Sequence, residues 1–409
     1  MQTLSRRVLL TAAPATIALS TRIARAAPRP RLRIGVLNDE SGPYRDLTGM
    51  TSVACAQQAV QDFGDHGFDV DILYADHQNK PDVGASIARQ WIDNDGVDVI
   101  ADVPTSSVAL AVSQVCREKD KLHLNASATA VALTGSQCNA NTIVWSFDTY
   151  MMAVSSGGAM VRAGGKTWFF ITADYAFGHS LEDQTSKVVR AAGGKVLGSV
   201  RYPFPDTTDF SSFISQAMSS GAQVLGLANA GADSVNCMKQ AHEFGLRKAG
   251  MRLAPMLSFI TDVHALGLDV AQGITLTESF YWNLNDRTRA FAARVRSKTP
   301  KLMPNQAQAS AYSSVLHYLK VAAAMGPAEA KRSGAATVAR MKAMPTDDDA
   351  FGPGKIRIDG RGLFPAYLFR VKTPAESHGE WDLYNLVATT PADQTAVPLS
   401  ESACPLVKA

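Results

Sequence analysis

Residues Leu32-Arg33-Ile34-Gly35-Val36-Leu37, with the loop Asn38-Asp39-Glu40-Ser41-Gly42-Pro43-Tyr44 directly after them, form the most informative segment of the chain. A short apolar run that ends in a polar, Gly- and Pro-containing loop is typical of a buried strand opening a βα unit. Further strand-like runs follow, separated by stretches of helical periodicity. They are Val70–Tyr74, Val97–Val103, Lys121–Asn125, Thr167–Thr172, Lys195–Val200, Gln223–Ala228 and Met251–Leu257. This alternation predicts an α/β fold with parallel sheets covered by helices on both faces.

The βα units fall into two series of four to five, which meet near Trp145–Tyr150. A chain of 409 residues, 46% of them hydrophobic, is longer than one hydrophobic core usually serves. We therefore expect two similar α/β lobes. The pattern breaks at Ile274–Trp282, a long helix follows near Ala307–Met325, and strand-like runs return at Lys355–Ile358 and Ala366–Val371. The chain is thus expected to cross between the lobes more than once.

The first 26 residues have the features of an export signal. Arg6-Arg7 precedes the apolar or small run Leu9–Leu19, and Ala24-Arg25-Ala26 offers small residues to a signal peptidase. The mature protein is expected to begin near Ala27 and to reside in a bacterial periplasm. The paired arginines favour the twin-arginine route, although an ordinary secretory signal also carries basic residues here.

Charge and hydropathy exclude several classes of protein. The formal net charge is +3, and the four arginines of residues 1–26, with no acid among them, leave −1 for the remainder. A near-neutral body is unsuited to nucleic acid, whose binding needs a basic face. No apolar run of about 18 residues follows the N-terminus, so no membrane span is predicted.

The five cysteines allow at most two disulfides in an oxidising compartment. Cys55, Cys116 and Cys237 occur in helical patterns and are expected to be buried apolar residues. Cys138 and Cys404 occur in polar, loop-like segments and are the candidate disulfide, which would hold the C-terminal tail in place. No pair has the CxxC spacing of a zinc or redox site.

Enzyme motifs fail when their spacing is tested. Gly164-Gly165-Lys166-Thr167 ends like a phosphate-binding loop, but position 160 is Met and the motif precedes a strand. Gly178-His179-Ser180-Leu181-Glu182 lacks the last glycine of a nucleophile elbow. No GxGxxG follows the first strand, and the eight histidines are scattered singly. We expect no enzymatic activity, no metal and no cofactor.

Short hydroxyl residues are concentrated where strands end. Pro104-Thr105-Ser106-Ser107 follows the third strand, and Asn125-Ala126-Ser127-Ala128-Thr129 follows the fourth. Each segment alone could be an ordinary helix N-cap. Both lie at strand ends of one lobe, where hydroxyls and free N–H groups at positive helix ends favour a bound carboxylate.

These segments, in this order, resemble the periplasmic branched-chain amino-acid-binding proteins of ABC transporters, which have the type I two-lobed fold. The resemblance covers the whole mature chain. The matching segments are Ile34-Gly35-Val36, Ser41-Gly42-Pro43, Asp98–Ser107, Asn125–Thr129, Thr172–Gly178 and Asp209-Phe210-Ser211. The resemblance implies two Rossmann-like lobes joined by three hinge strands, which close on a small molecule.

By that resemblance the hinge crossings fall near 145–150, 275–282 and 346–352. Lobe one would then comprise 27–147 plus 278–348. Lobe two with the C-terminal tail would comprise 148–277 plus 349–409.

The resemblance also implies the site residues. The positions that hold a carboxylate correspond to Thr105, Ser106, Ser127 and Thr129. The cleft tyrosines correspond to Tyr44 and Tyr312, and the aromatic residue of lobe two to Phe177, with Tyr175 close by. The remaining candidates are Ala128, Asn229, Phe259, Asp262 and Tyr281.

One departure from the family bears on the ligand. Amino-acid binders carry an acidic residue from lobe two that pairs with the ammonium group, but Leu257-Ser258-Phe259-Ile260-Thr261 has no carboxylate before Asp262. Another cleft tyrosine of the family falls at Ala230 or Gly231, which leaves room. Because an unpaired ammonium is costly to desolvate, a zwitterionic ligand is disfavoured.

Several aromatic residues point instead to an aromatic ligand, although those of Phe280-Tyr281-Trp282 could equally be hinge packing. Segments Ala173–Leu181, Tyr281–Ala290 and Ala311–Val321 resemble the subgroup that binds aromatic carboxylates of the benzoate, hydroxycinnamate or phenyl-keto-acid type. The implied protein is a monomeric solute-binding protein that delivers its ligand to membrane ABC permease subunits.

Three alternatives stay open. The first is a branched-chain amino-acid or amide ligand, with Asp262 or Glu278 as the ammonium partner. The second is a periplasmic ligand sensor, and the third, more remote, is an enzyme.

Overall fold

The computed structural model describes residues 29–408, so the expected export signal lies outside the described residues. Its first sheet is parallel, with strand order β2-β1-β3-β4-β5. Helices cover both faces, because the continuous apolar strands must be buried on both sides. The elements are β1 (Arg31–Asn38), α1 (Gly49–Phe63), β2 (Asp69–Asp76), α2 (Pro81–Asp93), β3 (Val99–Asp102), α3 (Ser106–Glu118), β4 (Leu122–Asn125) and β5 (Thr142–Val144).

A second parallel sheet follows, with strand order β7-β6-β8-β9. A π-helical turn, Ala153–Gly157, joins its first two helices. The elements are α4 (Thr149–Met152), α5 (Gly158–Arg162), β6 (Thr167–Ala173), α6 (Ala176–Ala191), β7 (Lys195–Tyr202), α7 (Ser211–Ser219), β8 (Val224–Ala228), α8 (Gly231–Glu243), β9 (Arg252–Pro255), α9 (Ile260–Leu266) and α10 (Leu268–Ala271). The two sheets confirm the predicted α/β fold with two lobes.

The rest of the chain forms the connections between the lobes and returns to lobe one as helices α11–α14. A small antiparallel sheet, order β10-β13-β14 and here called the hinge sheet, and the hairpin β11-β12 complete the structure. The elements are β10 (Thr275–Glu278), α11 (Asp286–Arg296), α12 (Gln306–Met325), α13 (Pro327–Arg332), α14 (Gly334–Ala343), β11 (Lys355–Ile356), β12 (Gly362–Leu363), β13 (Ala366–Val371) and β14 (Tyr384–Thr390). Within residues 29–408, no helix is long and apolar enough to cross a membrane.

Lobe one is built from the first sheet, α1–α3 and the returning helices α11–α14. Phe291 of α11 and Tyr312 of α12 share a core with Leu32 and Ile34 of β1. Residues after 348 were expected in lobe two, but Phe351, Ile356 and Phe364 also pack in this core. The chain therefore leaves lobe one only as β13 begins, because these apolar side chains complete the lobe-one core.

A buried ion pair holds two of the crossings together. The Nε of Arg361 lies 2.7 Å from Oδ2 of Asp148, and both side chains are buried. Arg361 also donates to the carbonyl oxygens of Trp145 and Ser146. Removing one partner of such a pair would leave an uncompensated buried charge, so each side chain stabilises the hinge only while the other is present.

A disulfide joins Cys138 to Cys404 with a Cα–Cα distance of 5.5 Å, the pairing that the two loop contexts favoured. It fastens the C-terminal tail to lobe one. Cys55, Cys116 and Cys237 are free and buried, as the helical patterns around them predicted.

Candidate functional site

A small cavity lies between the lobes, at the carboxyl ends of the parallel strands. Its volume, about 10 Å³, is about that of a single water site. Both lobes contribute to its wall, so the structure shows the lobes closed on each other. The lining residues are Tyr44, Leu47, Pro104, Ser127 and Thr129 from lobe one, and Tyr175, Phe177, Ala230 and Leu257 from lobe two.

Direct contacts across the cleft keep it closed. The hydroxyl groups of Tyr44 and Tyr175 are hydrogen-bonded to each other. The N–H of Ala232 donates to the carbonyl oxygen of Pro43 at 2.9 Å. The ring of Tyr175 stacks on Phe204, with ring centroids 4.4 Å apart. A ligand must therefore enter while the lobes are apart.

Three helices begin at the wall of this cavity. Helix α3 starts after Thr105, α6 after Tyr175 and α8 after Ala230, and none of these N-cap side chains caps its helix. The first N–H groups of a helix have no partner within it, and the helix dipole makes that end positive. One of these N–H groups in α8, that of Ala232, donates to the carbonyl oxygen of Pro43 across the cleft. The free N–H groups at the starts of the other helices favour a bound anion.

The hydroxyl residues divide into two groups. Ser127 and Thr129 line the cavity. Thr105 donates instead to Asn79, and Ser106 Oγ accepts from the N–H of Thr129 at 3.3 Å. Thr105 and Ser106 thus support the loop that carries Ser127 and Thr129. Ala128 has the same supporting role, because its N–H donates to Asn125 Oδ1 at 3.0 Å.

Asp102, which lies behind Ser127, was not predicted as a site residue from the sequence. It ends β3 with φ of 76°, a left-handed conformation, and Val103 after it has φ of 59°. Strained backbone of this kind is concentrated at functional sites. Ser127 donates to Asp102 Oδ1, while Oδ2 is buried with no partner in the described chain. Burial raises the pKa of Asp102 to about 6.

The two candidate ammonium partners are occupied elsewhere. Asp262 accepts from the N–H of Phe259 at 2.9 Å and caps α9, and burial raises its pKa to about 7. Glu278 accepts from the N–H of Ile260 at 3.1 Å and from Tyr384 Oη at 3.0 Å, and burial raises its pKa to about 8. Among the described residues, no carboxylate lines the cavity.

Four other candidates lie away from the cavity. Phe259 packs edge-on against Phe147, and the side-chain oxygen and nitrogen of Asn229 are buried without a partner in residues 29–408. Tyr281 lies in the hinge against Tyr384, with centroids 5.1 Å apart. Tyr312 Oη donates to Asp62 at 2.8 Å, away from the cleft. These placements separate the aromatic residues of the hinge and core from those of the cleft.

Leu47, Pro104 and Phe204 complete the surroundings of the cavity, and none of them was predicted as a site residue from the sequence. Phe204 follows β7 and touches both Tyr44 and Tyr175, with centroids 5.3 and 4.4 Å away. Its position just after a strand of the second sheet is the signal that could have identified it. No cluster of metal-ligating side chains occurs in the part of the chain that the structure describes.

Solved structures with this fold include three informative relatives. A periplasmic binding protein from Burkholderia mallei is 46% identical, with a TM-score of 0.88 and coverage of 92% of this chain and 99% of that one. A branched-chain amino-acid ABC transporter periplasmic ligand-binding protein from Burkholderia xenovorans LB400 is 40% identical, with a TM-score of 0.80 and coverage of 92% and 100%. A solute-binding protein of an ABC transporter from R. palustris, in complex with benzoate, shares the fold at 21% identity, with a TM-score of 0.78 and coverage of 90% and 99%.

The curated relatives are more distant. A Leu/Ile/Val-binding protein homolog of Brucella abortus is 26% identical over 260 residues, 60% of this chain. The chain spans 61% of the length of that relative. The model of the periplasmic binding protein family matches residues 31–379, and the chain therefore belongs to this family.

Proposed function

We propose that the protein is the solute-binding component of a periplasmic ABC importer and that it captures a small aromatic carboxylate between its lobes. One observation carries the proposal: the lining of the closed cavity combines hydroxyls and free helix ends with aromatic rings and has no carboxylate among the described residues. Such a wall suits a ligand with one anionic end and one flat apolar end.

In this proposal the carboxylate of the ligand lies against lobe one. Ser127 and Thr129 line the cavity, and α3 begins beside them after Thr105. The Ser127 hydroxyl donates to Asp102 in the closed structure, so it must turn from Asp102 to the ligand carboxylate on binding. Hydroxyl and backbone N–H donors are stronger when the acceptor is ionised. The same donors leave a neutral amide less well bound.

The aromatic ring of the ligand then lies among Tyr44, Tyr175 and Phe177. In the closed structure the Tyr44 and Tyr175 hydroxyls fill this space by bonding to each other. An aromatic ring is larger than the single water site present, so binding requires that this hydrogen bond be exchanged for contacts with the ligand. The ligand then becomes part of the closed interface between the lobes.

An amino-acid ligand is the second candidate, because the B. xenovorans relative is described as a branched-chain amino-acid transporter protein. Its ammonium group would need a carboxylate partner. Asp262 and Glu278 already accept hydrogen bonds from helix N-termini, and burial raises the pKa of both. The R. palustris relative is in complex with benzoate and has the same fold, so this fold can hold an aromatic carboxylate.

Calorimetric titration of residues 27–409 tests the ligand class. Benzoate, 4-hydroxybenzoate and cinnamate should bind, whereas benzamide, leucine and valine should not. At 100 times its dissociation constant a ligand adds about 2.7 kcal/mol to the free energy of unfolding, so thermal shift gives an independent readout. Binding of leucine or valine, with no benzoate binding, would refute the aromatic assignment and leave the binding-protein fold intact.

Substitutions test the placement of the carboxylate. Ser127→Ala combined with Thr129→Val should weaken benzoate binding about 10- to 100-fold, because hydrogen bonds to a charged group contribute about 1.5–3 kcal/mol. Ser212→Ala, at an exposed position of α7, is the matched control and should bind as the parent does. An unchanged dissociation constant in the double variant would place the carboxylate elsewhere.

The role in import is tested in cells. Loss of the gene should reduce uptake of labelled benzoate. A periplasmic sensor, the other class of function for this fold, predicts unchanged uptake and an altered transcriptional response to benzoate. Residues 1–26 should direct a reporter to the periplasm, and Arg6→Lys with Arg7→Lys should block this if the twin-arginine route is used.

A further inference from the structure

A second cavity, of about 500 Å³, lies on lobe two. It is bordered by the C-terminal half of α8, the start of β9 and the start of β10. The ligand cleft lies at the other end of α8, where Ala230 precedes the helix. A helix of this length spans about 18 Å, so the two cavities are separate sites.

The walls of this lobe-two cavity are apolar. Met238, Leu246, Met251 and Ile274 contribute buried side chains from the lobe-two core. The space exists because β9 is the last strand of the second sheet and β10 belongs to the hinge sheet, so the two sheets part here. Its volume is in the range of small-molecule sites, and methionine side chains adapt readily to a ligand.

The charge of the lining has a single sign. Arg247, Arg252 and His242 line the cavity, and no aspartate or glutamate of residues 29–408 does. Neither arginine forms an ion pair within the described chain. Arg252 Nη1 donates only to a backbone oxygen, that of Ala163, at 2.8 Å. Guanidinium groups favour carboxylates, which they bind in a bidentate manner.

We propose that the lobe-two cavity is a second ligand site, which binds an apolar monocarboxylate of medium chain length. The hydrocarbon body packs among Met238, Leu246, Met251 and Ile274, and the carboxylate pairs with Arg247 and Arg252. A cationic amphiphile is excluded by the same charges, and a neutral one lacks the ion pair. This site is independent of the cleft and of the ligand proposed there.

Octanoate, octylammonium and octanol, which share a chain length and differ in charge, are the probes. Calorimetry on residues 27–409 should show octanoate binding at one site per chain, at least tenfold more tightly than either of the others. Arg247→Gln with Arg252→Gln should weaken octanoate at least tenfold. Arg190→Gln, at an exposed arginine of α6, is the matched control and should leave the dissociation constant unchanged.

Two more variants locate the site. Ala159→Phe, which projects a ring into the cavity, should abolish octanoate binding while the melting temperature stays near that of the parent. Ser127→Ala, in the cleft, should leave octanoate binding intact, which separates this proposal from the cleft assignment. Equal binding of octanoate and octylammonium would overturn the proposal, as would an unchanged affinity in the double arginine variant or a loss of binding in Ser127→Ala.

Discussion

Replacing Glu278 by glutamine should remove most of the loss of stability that this protein undergoes as pH rises. Glu278 ends β10 and is buried, and its carboxylate accepts from the first N–H of α9 (Ile260) in lobe two and the first N–H of α12 (Gln306) in lobe one, at 3.1 and 3.3 Å. Tyr384 donates to it as well, at 3.0 Å. One carboxyl group therefore joins both lobes to the hinge sheet.

The magnitude follows from the raised pKa. Burial raises the pKa of Glu278 from 4.5 to about 8, so between these values the unfolded chain is ionised while the folded protein keeps its proton. The folded state then binds one more proton, and the free energy of unfolding falls by about 1.4 kcal/mol per pH unit as pH rises. Over the whole interval the loss is about 5 kcal/mol, and it ends above the folded pKa.

Glu278→Gln removes this term, because glutamine is uncharged at every pH. Its amide N–H₂ also faces the N–H of Gln306, and an unpaired buried donor costs about 1–3 kcal/mol. The variant should thus be less stable than the parent at pH 5 and more stable, by about 2–4 kcal/mol, at pH 9. The two stability curves should cross.

Urea denaturation at pH 5, 6, 7, 8 and 9, followed by fluorescence and circular dichroism together, measures this difference. Burial also raises the pKa of Asp262, to about 7, and this lowers the stability of both proteins as pH rises. The difference between their free energies of unfolding therefore reports Glu278 and its effect on Asp262. Glu243→Gln, at an exposed position, is the control and should follow the parent. Parallel curves for parent and Glu278→Gln would show that Glu278 is ionised when folded and that its proposed linkage is absent.

Three further outcomes are expected. Reducing the Cys138–Cys404 disulfide, which spans 266 residues of sequence, should lower the free energy of unfolding by about 2–5 kcal/mol in urea denaturation while benzoate binding persists; unchanged stability would contradict its role in holding the tail. Gly231→Ala, at φ 59° with its Cβ position 2.5 Å from a lobe-one carbonyl oxygen, should hinder closure and weaken benzoate at least tenfold by calorimetry. Gly193→Ala, at φ 78° with open space around it, carries the same backbone strain and should bind normally; equal effects would attribute the loss to strain alone. Tyr312→Phe should leave the benzoate dissociation constant within twofold of the parent value, because Tyr312 contacts Asp62 away from the cleft. A larger change would show that Tyr312 contacts the ligand.

The architecture could be predicted because it depends on local patterns. Buried parallel strands need continuous apolar runs and their helices need 3.6-residue periodicity, and both are visible from Leu32 onward. Hydroxyl residues after β4 were recognised because ligands of such sheets bind at strand ends, and the structure brings Ser127 and Thr129 to the cavity. The loop contexts of Cys138 and Cys404 likewise indicated their pairing.

Side-chain direction could not be predicted in the same way. Helix α12 is buried on almost all sides, so no apolar stripe shows which face meets the cleft, and Tyr312 turns to Asp62 in lobe one. Asp262 and Glu278 were candidate ammonium partners until the structure placed helix N-termini against them.

The alternation of strands and helices, the burial of the apolar runs and the chemistry of the strand ends were thus present in the sequence, because each depends on neighbours within a few residues. The closure of Tyr44 on Tyr175 and the gathering of Arg247 and Arg252 over an apolar cavity depend on segments far apart in the chain. Only packing sets the distance between such groups, and only the tertiary structure could reveal them.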